Sequence, residues 1–222
     1  MAAVYEEALK KDIAAKNPVG NYVLFGDDTY LINMYTKKLS SLIADSDDVF
    51  NYHKFSGKCD LQSVYDAAVQ FPMMADKKCI IIKDYDYQKA DKTDFERLLN
   101  IASEDFGTAV VIFVFDSIEF DHKKDAKAKK IIAAAEKSGG KAVILNHRRT
   151  PELVKMLCSA AIKRGCKIDS SVARYLIETS GDDILNLTNE LNKLCHYANK
   201  GTITKETVDT VCIKSPEASV YN

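Results

Sequence analysis

The seven residues Ala109-Val-Val-Ile-Phe-Val-Phe115 form an apolar run with no polar side chain. A run this short and uniform suits a strand buried on both faces, as inside a parallel sheet. Cys79-Ile-Ile-Ile82 repeats the signal, and Asn21-Tyr-Val-Leu-Phe-Gly26 and Ala142–Leu145 read as two further strands. Val49–Phe55 is less regular: Phe50 and Tyr52 stand two apart, as in a strand, but Phe55 falls out of step.

Amphipathic helices separate these runs. Tyr5–Lys16 carries Tyr5, Leu9 and Ile13 on one side and stops at Asn17-Pro18. Asp27 or Asp28 caps a helix with Tyr30, Leu31, Met34, Leu39, Leu42 and Ile43 inward. Asp60 caps another, with Leu61, Val64, Tyr65, Ala68 and Val69 on one stripe. Lys92–Ser103 and Ala126–Lys137 follow, the second broken by Ser138-Gly-Gly140. Strands alternating with helices predict an α/β fold with right-handed crossovers: a parallel five-stranded sheet sandwiched by helices.

After Asn146 the strand signals stop. Thr150-Pro151-Glu152 opens a helix running to Gly165, Asp169 caps a second to Thr179, Asp182 or Asp183 a third through Tyr197, and Thr204 a fourth over Lys205–Ile213. The expected organisation is an α/β domain over 1–147 and an all-helical lid over 148–215, with 216–222 the start of a further region.

Several function classes are excluded by composition. Charged residues make up 28% of the chain at a net charge of -1, so no global basic field marks it as a free-standing nucleic-acid binder. No apolar run approaches membrane-spanning length, and the N-terminus lacks the basic and apolar regions of a signal peptide, so a soluble cytoplasmic protein is expected. The six cysteines (59, 79, 158, 166, 195 and 212) include no closely spaced pair and read as free thiols. Glu119 and His122 stand three apart without further ligands nearby, so no metal site is expected.

The stretch between the Asp60-capped helix and the Cys79 strand is unusual. Phe71-Pro72 ends the helix, and Met73 and Met74 fall off its apolar stripe. They either cap the edge of the domain or form an adaptable plug for a partner's apolar pocket, a use that suits the unbranched, polarisable methionine side chain.

A nucleotide on such a sheet would sit at the carboxyl ends of the strands, cradled by glycine-rich backbone and a lysine. Here the first strand is followed by Gly26-Asp-Asp-Thr-Tyr, with a single glycine, no Gly-Lys pair, and two carboxylates where phosphate would lie. ATP hydrolysis is not expected. Asp27, Asp28, Asp84, Asp86, Asp116 and Asp121 all follow strands, which leaves open an alternative in which they hold Mg²⁺ for phosphoryl transfer or accept a phosphoryl group. Helix caps and Asx turns account for aspartates at the same junctions. His147-Arg148-Arg149 is a small basic cluster that reads as a solvated surface patch.

Four stretches carry a family resemblance: Tyr22-Val-Leu-Phe-Gly-Asp-Asp-Thr-Tyr-Leu-Ile32, Phe71–Asp84, Ser180-Gly-Asp-Asp-Ile184 through Leu194, and Ile203-Thr-Lys-Glu-Thr-Val208. In order and spacing they resemble AAA+ proteins without a working ATPase, and more closely the delta subunits of the bacterial DNA polymerase III clamp loader. That resemblance implies a part of a DNA polymerase holoenzyme with no intrinsic catalytic site, cofactor or metal of its own. Its implied role in DNA replication is to bind the sliding clamp and open the ring or hold it open, alongside ATPase and delta-prime subunits and, indirectly, primed DNA. By the same resemblance the clamp-binding element falls on Phe71, Pro72, Met73 and Met74. Gly26, Asp27, Asp28, Asp84 and Ile184 mark a degenerate nucleotide site, with Ile184 about where a motor carries its sensing arginine. Residues 216–222 would begin a truncated collar domain. A degenerate AAA+ adaptor for another partner is a further alternative.

Overall fold

The computed structural model describes residues 4–212, and the side chains of 6–212. Ile213 and the expected collar start at 216–222 lie outside the described residues. The chain divides after Asn146 into two compact units.

In the first unit the elements run β1 (Val4–Tyr5), α1 (Glu6–Ala15), β2 (Tyr22–Phe25), α2 (Thr29–Ser40), β3 (Tyr52–Ser56), α3 (Leu61–Val69), β4 (Lys78–Lys83), α4 (Lys92–Ser103), β5 (Ala109–Phe115), α5 (Ala126–Lys137) and β6 (Lys141–Ile144). The five expected strands, β2 to β6, lie in one parallel six-stranded sheet of order β1-β6-β2-β5-β4-β3. The seven-residue apolar run is β5, which pairs β2 on one side (Val23 opposite Phe113) and β4 on the other (Ile81 opposite Ile112), and every residue of it is buried. Both of its faces are covered: α3, α4 and α5 pack over Ile80, Ile82, Val111, Phe113 and Phe115, and α2 contacts β2 and β5.

Tyr5 departs from expectation. It leaves the first helix and, with Val4, adds a short edge strand whose backbone pairs Val143 and Ile144. A ladder on the open edge of β6 satisfies backbone groups that a local helical pattern does not register.

Asn21 fastens the sheet to two helices. It is buried at 1% exposure, and its amide nitrogen donates to the carbonyls of Ile101 (3.0 Å), Ala102 (3.1 Å) and Glu104 (2.8 Å), closing the end of α4. Its side-chain oxygen accepts from Val111 N–H at 3.0 Å, and its own N–H donates to Ser138 Oγ at 2.8 Å after α5. The chain passes so close here that a Cβ on Gly140 would lie 1.6 Å from the Asn21 carbonyl oxygen, so no other residue fits there.

The second unit contains α6 (Thr150–Lys163), β7 (Lys167–Ile168), α7 (Ser170–Ser180), α8 (Ile184–Ala198), β8 (Thr202–Ile203) and α9 (Lys205–Val211). The four expected helices are present, but the unit is not wholly helical: β7 and β8 pair in parallel, Ile168 opposite Ile203. The segments leaving α6 and α8 run side by side, Lys167 N–H donates to the Gly201 carbonyl at 3.1 Å, and both isoleucines are buried. Two residues per strand are too few for periodicity to report.

Candidate functional site

The sheet has two ends, and sequence reasoning placed candidate residues at both. At the carboxyl ends lie Gly26, Asp27, Asp28 and Asp84. Gly26 has φ 145°, and a Cβ there would stand 2.0 Å from the Leu145 carbonyl oxygen, so glycine is required by the close approach of the segments after β2 and β6. Asp27 is exposed. Asp28 is buried and caps α2: its carboxylate accepts from Leu31 N–H at 2.8 Å. The helix terminus that would receive a phosphate is thus occupied by the chain's own carboxylate.

Asp84 takes a left-handed backbone (φ 52°), which a short polar side chain tolerates. Its Oδ1 accepts from Asp116 and Ser117 N–H, both at 3.0 Å, bracing the end of β4 against that of β5. Lys83 Nζ lies 2.8 Å from Asp116 Oδ2. Burial works to raise the Asp116 carboxyl, but hydrogen bonds from Lys83 and Ser117 outweigh it and hold the group below the usual carboxylate range. Asp86 accepts from Lys89 and Asp121 from Lys123 and Lys124 N–H, as turn aspartates do. Among the described residues, no three His, Cys, Asp or Glu side chains are grouped to hold a metal ion. These acids serve as caps and braces. Ile184 opens α8 in the second unit, where its side chain is buried.

All six cysteines are free thiols. Burial pushes Cys79 up to about 12, and Cys212 also to about 12 with the Glu190 carboxylate beside it, so neither is a poised nucleophile.

At the amino ends of the strands lies the Phe71–Met74 knuckle. Gln70 turns extended after α3 (ψ 137°), as the chain approaches Pro72. Phe71 is 86% exposed, Pro72 half-buried, Met73 exposed and Met74 fully exposed. Met74 has φ 54°, which an unbranched apolar residue adopts at a cost of about 1–2 kcal/mol. The surroundings hold this conformation. Asn51, 1% exposed in the turn before β3, accepts from Met73 N–H at 2.8 Å and donates to the Met73 carbonyl at 2.8 Å. Lys77 Nζ donates to the Pro18 carbonyl at 2.8 Å, fixing the far side. The knuckle is therefore an anchored projection with a strained residue at its tip.

The sheet order, the acids at its carboxyl ends and the projecting knuckle can be set beside known proteins. The family model described as DNA polymerase III, delta subunit, matches residues 22–146, more than half of the chain. The chain belongs to the DNA polymerase III delta-subunit family. A relative from Aquifex aeolicus, named as a probable DNA polymerase III subunit delta, is 23% identical over 201 residues, which cover 88% of this chain and 55% of the relative. This delta-family chain therefore spans little more than half the length of that relative. Among solved structures, the Bacillus subtilis DNA clamp loader delta protein is similar with a TM-score of 0.70 at 17% identity, over 96% of this chain and 64% of that one. RuvB of Thermotoga maritima is similar in fold, with a TM-score of 0.51 at 12% identity, over 92% of this chain and 65% of RuvB. The delta-family chain thus has an AAA+-like fold. Among its described residues no helix is long and apolar enough to cross a membrane.

Sequence reasoning missed Asn51. Its signal is faint: Asp48-Val-Phe-Asn51 carries an Asx-type pair, and Asp48 Oδ1 accepts from Phe50 N–H (3.0 Å) and Asn51 N–H (3.1 Å). The tie to Met73 spans 22 residues, which no local pattern reports.

Proposed function

We propose that this delta-family chain binds the ring-shaped sliding clamp through Phe71, Pro72, Met73 and Met74, and opens the ring or holds it open during DNA replication without hydrolysing ATP itself. The observation that carries this reading is the knuckle: a fully exposed Met74 in a strained backbone, held from behind by two Asn51 hydrogen bonds. Strained, outward-facing apolar residues persist where function selects them. Asp28 and Asp84 support the non-ATPase part, because both carboxylates are engaged by backbone N–H groups.

The mechanism follows from differential binding. The knuckle fills an apolar pocket on the clamp, and the docked unit fits the open interface better than the closed one. The ring is shifted toward open only by that difference: moving 1:99 to 99:1 takes about 5.5 kcal/mol. In this reading the chain works in the bacterial cytoplasm inside a clamp-loader complex, beside ATPase and delta-prime subunits that supply the hydrolysis, and meets primed DNA as part of that assembly. The first unit, to Asn146, carries the clamp contact, and the second unit is the lid.

The test is binding of this chain to its own sliding clamp by surface plasmon resonance, wild type beside Met73→Ala/Met74→Ala. Burying two such side chains contributes a few kcal/mol, so the double variant should lose roughly a hundredfold in affinity with its melting temperature unchanged. Equal binding by both proteins would sink the reading, as would loss of binding on substituting Asp27 or Asp84 instead.

A further inference from the structure

Among the described residues, seven large apolar side chains of the first unit stand exposed: Val19, Val49, Phe50, Val69, Phe71, Met73 and Met74. Six of them fall in two segments, 49–50 and 69–74, which are far apart in sequence and joined in space by one residue. Asn51 follows Phe50 directly, and its carboxamide grips the Met73 backbone from both sides. Its remaining amide hydrogen goes to Asp48 Oδ2 at 2.7 Å, and its carbonyl accepts from Cys79 N–H at 2.7 Å, at the head of β4. The two apolar segments are thus two sides of one pinned corner.

Val49 is 74% exposed and Phe50 59%, and the turn holds them there. Asp48 accepts from Phe50 and Asn51 N–H through its carboxylate and from Tyr52 N–H (2.8 Å) through its carbonyl, so the segment cannot rotate inward without losing all three. Asp45 and Asp47, just before the turn, and Asp76, just after the knuckle, are exposed, so acids flank both apolar segments along the chain. That is the anatomy of a docking face rather than of a solvated turn.

We propose that Val49 and Phe50 form a second arm of the clamp-docking surface, seated on the same clamp subunit as the Phe71–Met74 knuckle, and that Asn51 is the positioning residue fixing the two arms relative to each other. The proposal rests on the reading of the chain as a clamp binder. Its occupant follows from continuity: Phe50 directly precedes the residue whose carboxamide is bonded to the Met73 backbone, so a partner that covers Met73 and Met74 reaches the Phe50 turn. A rigid two-armed grip also suits an opening role, since two fixed contacts resist the rocking that a single plug allows.

The experiment measures binding of the chain to its purified sliding clamp for wild type, Val49→Ala/Phe50→Ala, Asn51→Ala and Met73→Ala/Met74→Ala, with melting curves for each. The Val49/Phe50 variant, altered only at exposed positions, should weaken binding about tenfold or more at an unchanged melting temperature, as expected for an aromatic anchor. Asn51→Ala should weaken binding with both arms' side chains intact. It should also speed hydrogen exchange at the Met73 amide, which donates to Asn51, while the β4 amides keep their protection. If the Met73/Met74 variant loses binding and the Val49/Phe50 variant does not, the second arm is refuted and the clamp reading stands. Unchanged binding by Asn51→Ala removes its positioning role. If wild type does not bind, or the Met73/Met74 variant binds as wild type does, the clamp reading itself fails and the second arm with it.

Discussion

Replacing Asn21 with alanine tests how the first unit is held together. The side chain satisfies one buried donor, Val111 N–H in the central strand, and carbonyls at the end of α4, of which Ile101 and Ala102 belong to buried residues. Alanine leaves Val111 N–H unpaired, a cost of about 1–3 kcal/mol, and strips two buried carbonyls at about 1 kcal/mol each. Water can replace the bond to Glu104, which sits at the exposed end of the helix. The total is on the order of 3–5 kcal/mol. In a unit of this size 1 kcal/mol moves the melting temperature by roughly 2–4 °C, so the unfolding transition should fall by about 6–20 °C. Urea denaturation followed by circular dichroism measures the free energy, and calorimetry the shift. A loss below about 1 kcal/mol would mean that these bonds are readily remade with water and that Asn21 is not the fastening described.

Two further predictions concern the other end of the sheet. Gly26→Ala places a Cβ against the Leu145 carbonyl at a φ that alanine avoids, and should cost on the order of 2–4 kcal/mol in urea unfolding, with Gly57→Ala, where the Cβ meets open space, costing less. Asp116, held below the usual carboxylate range, contributes stability that is fully present above the unfolded carboxyl pKa of about 4 and fades as pH falls through the folded value. The urea midpoint of the wild type should therefore drop in acid below about pH 4, and Asp116→Asn should flatten that slope; parallel slopes for the two proteins would remove Asp116 from the account.

The parts of the fold legible in the sequence are those in which one short segment settles its own fate. Ala109–Phe115 is too uniform to be half-exposed, and Asp60 with its five-residue stripe states both where α3 begins and which face it buries. The knuckle was visible for the same reason, since Met73 and Met74 fit neither the helix before them nor the strand after. What was hidden depends on partners distant in sequence. Tyr5 joins β6 across more than a hundred residues, and β7 and β8 exist only because two loops meet. In the sequence Asn21 only opens a strand and Asn51 only sits in an irregular strand-like stretch; their roles emerge when the backbones they bind, 22 to 90 positions away, are brought beside them. The alternation of Phe50 and Tyr52 suggests a strand through Val49 and Phe50, whereas Asp48 folds that segment into a turn that leaves both exposed.

The parallel sheet gives the chain a polarity with a practical result. Every strand enters from the end that carries the knuckle and leaves at the end where Asp28 and Asp84 are braced. The six residues of β4 alone separate the two ends by about 20 Å. Under the proposed clamp reading, the projecting corner can be recut for a partner with a differently shaped pocket while the scaffold beneath keeps its stability. On that reading the piece that must travel with it is the buried Asn51, whose carboxamide holds the Met73 backbone.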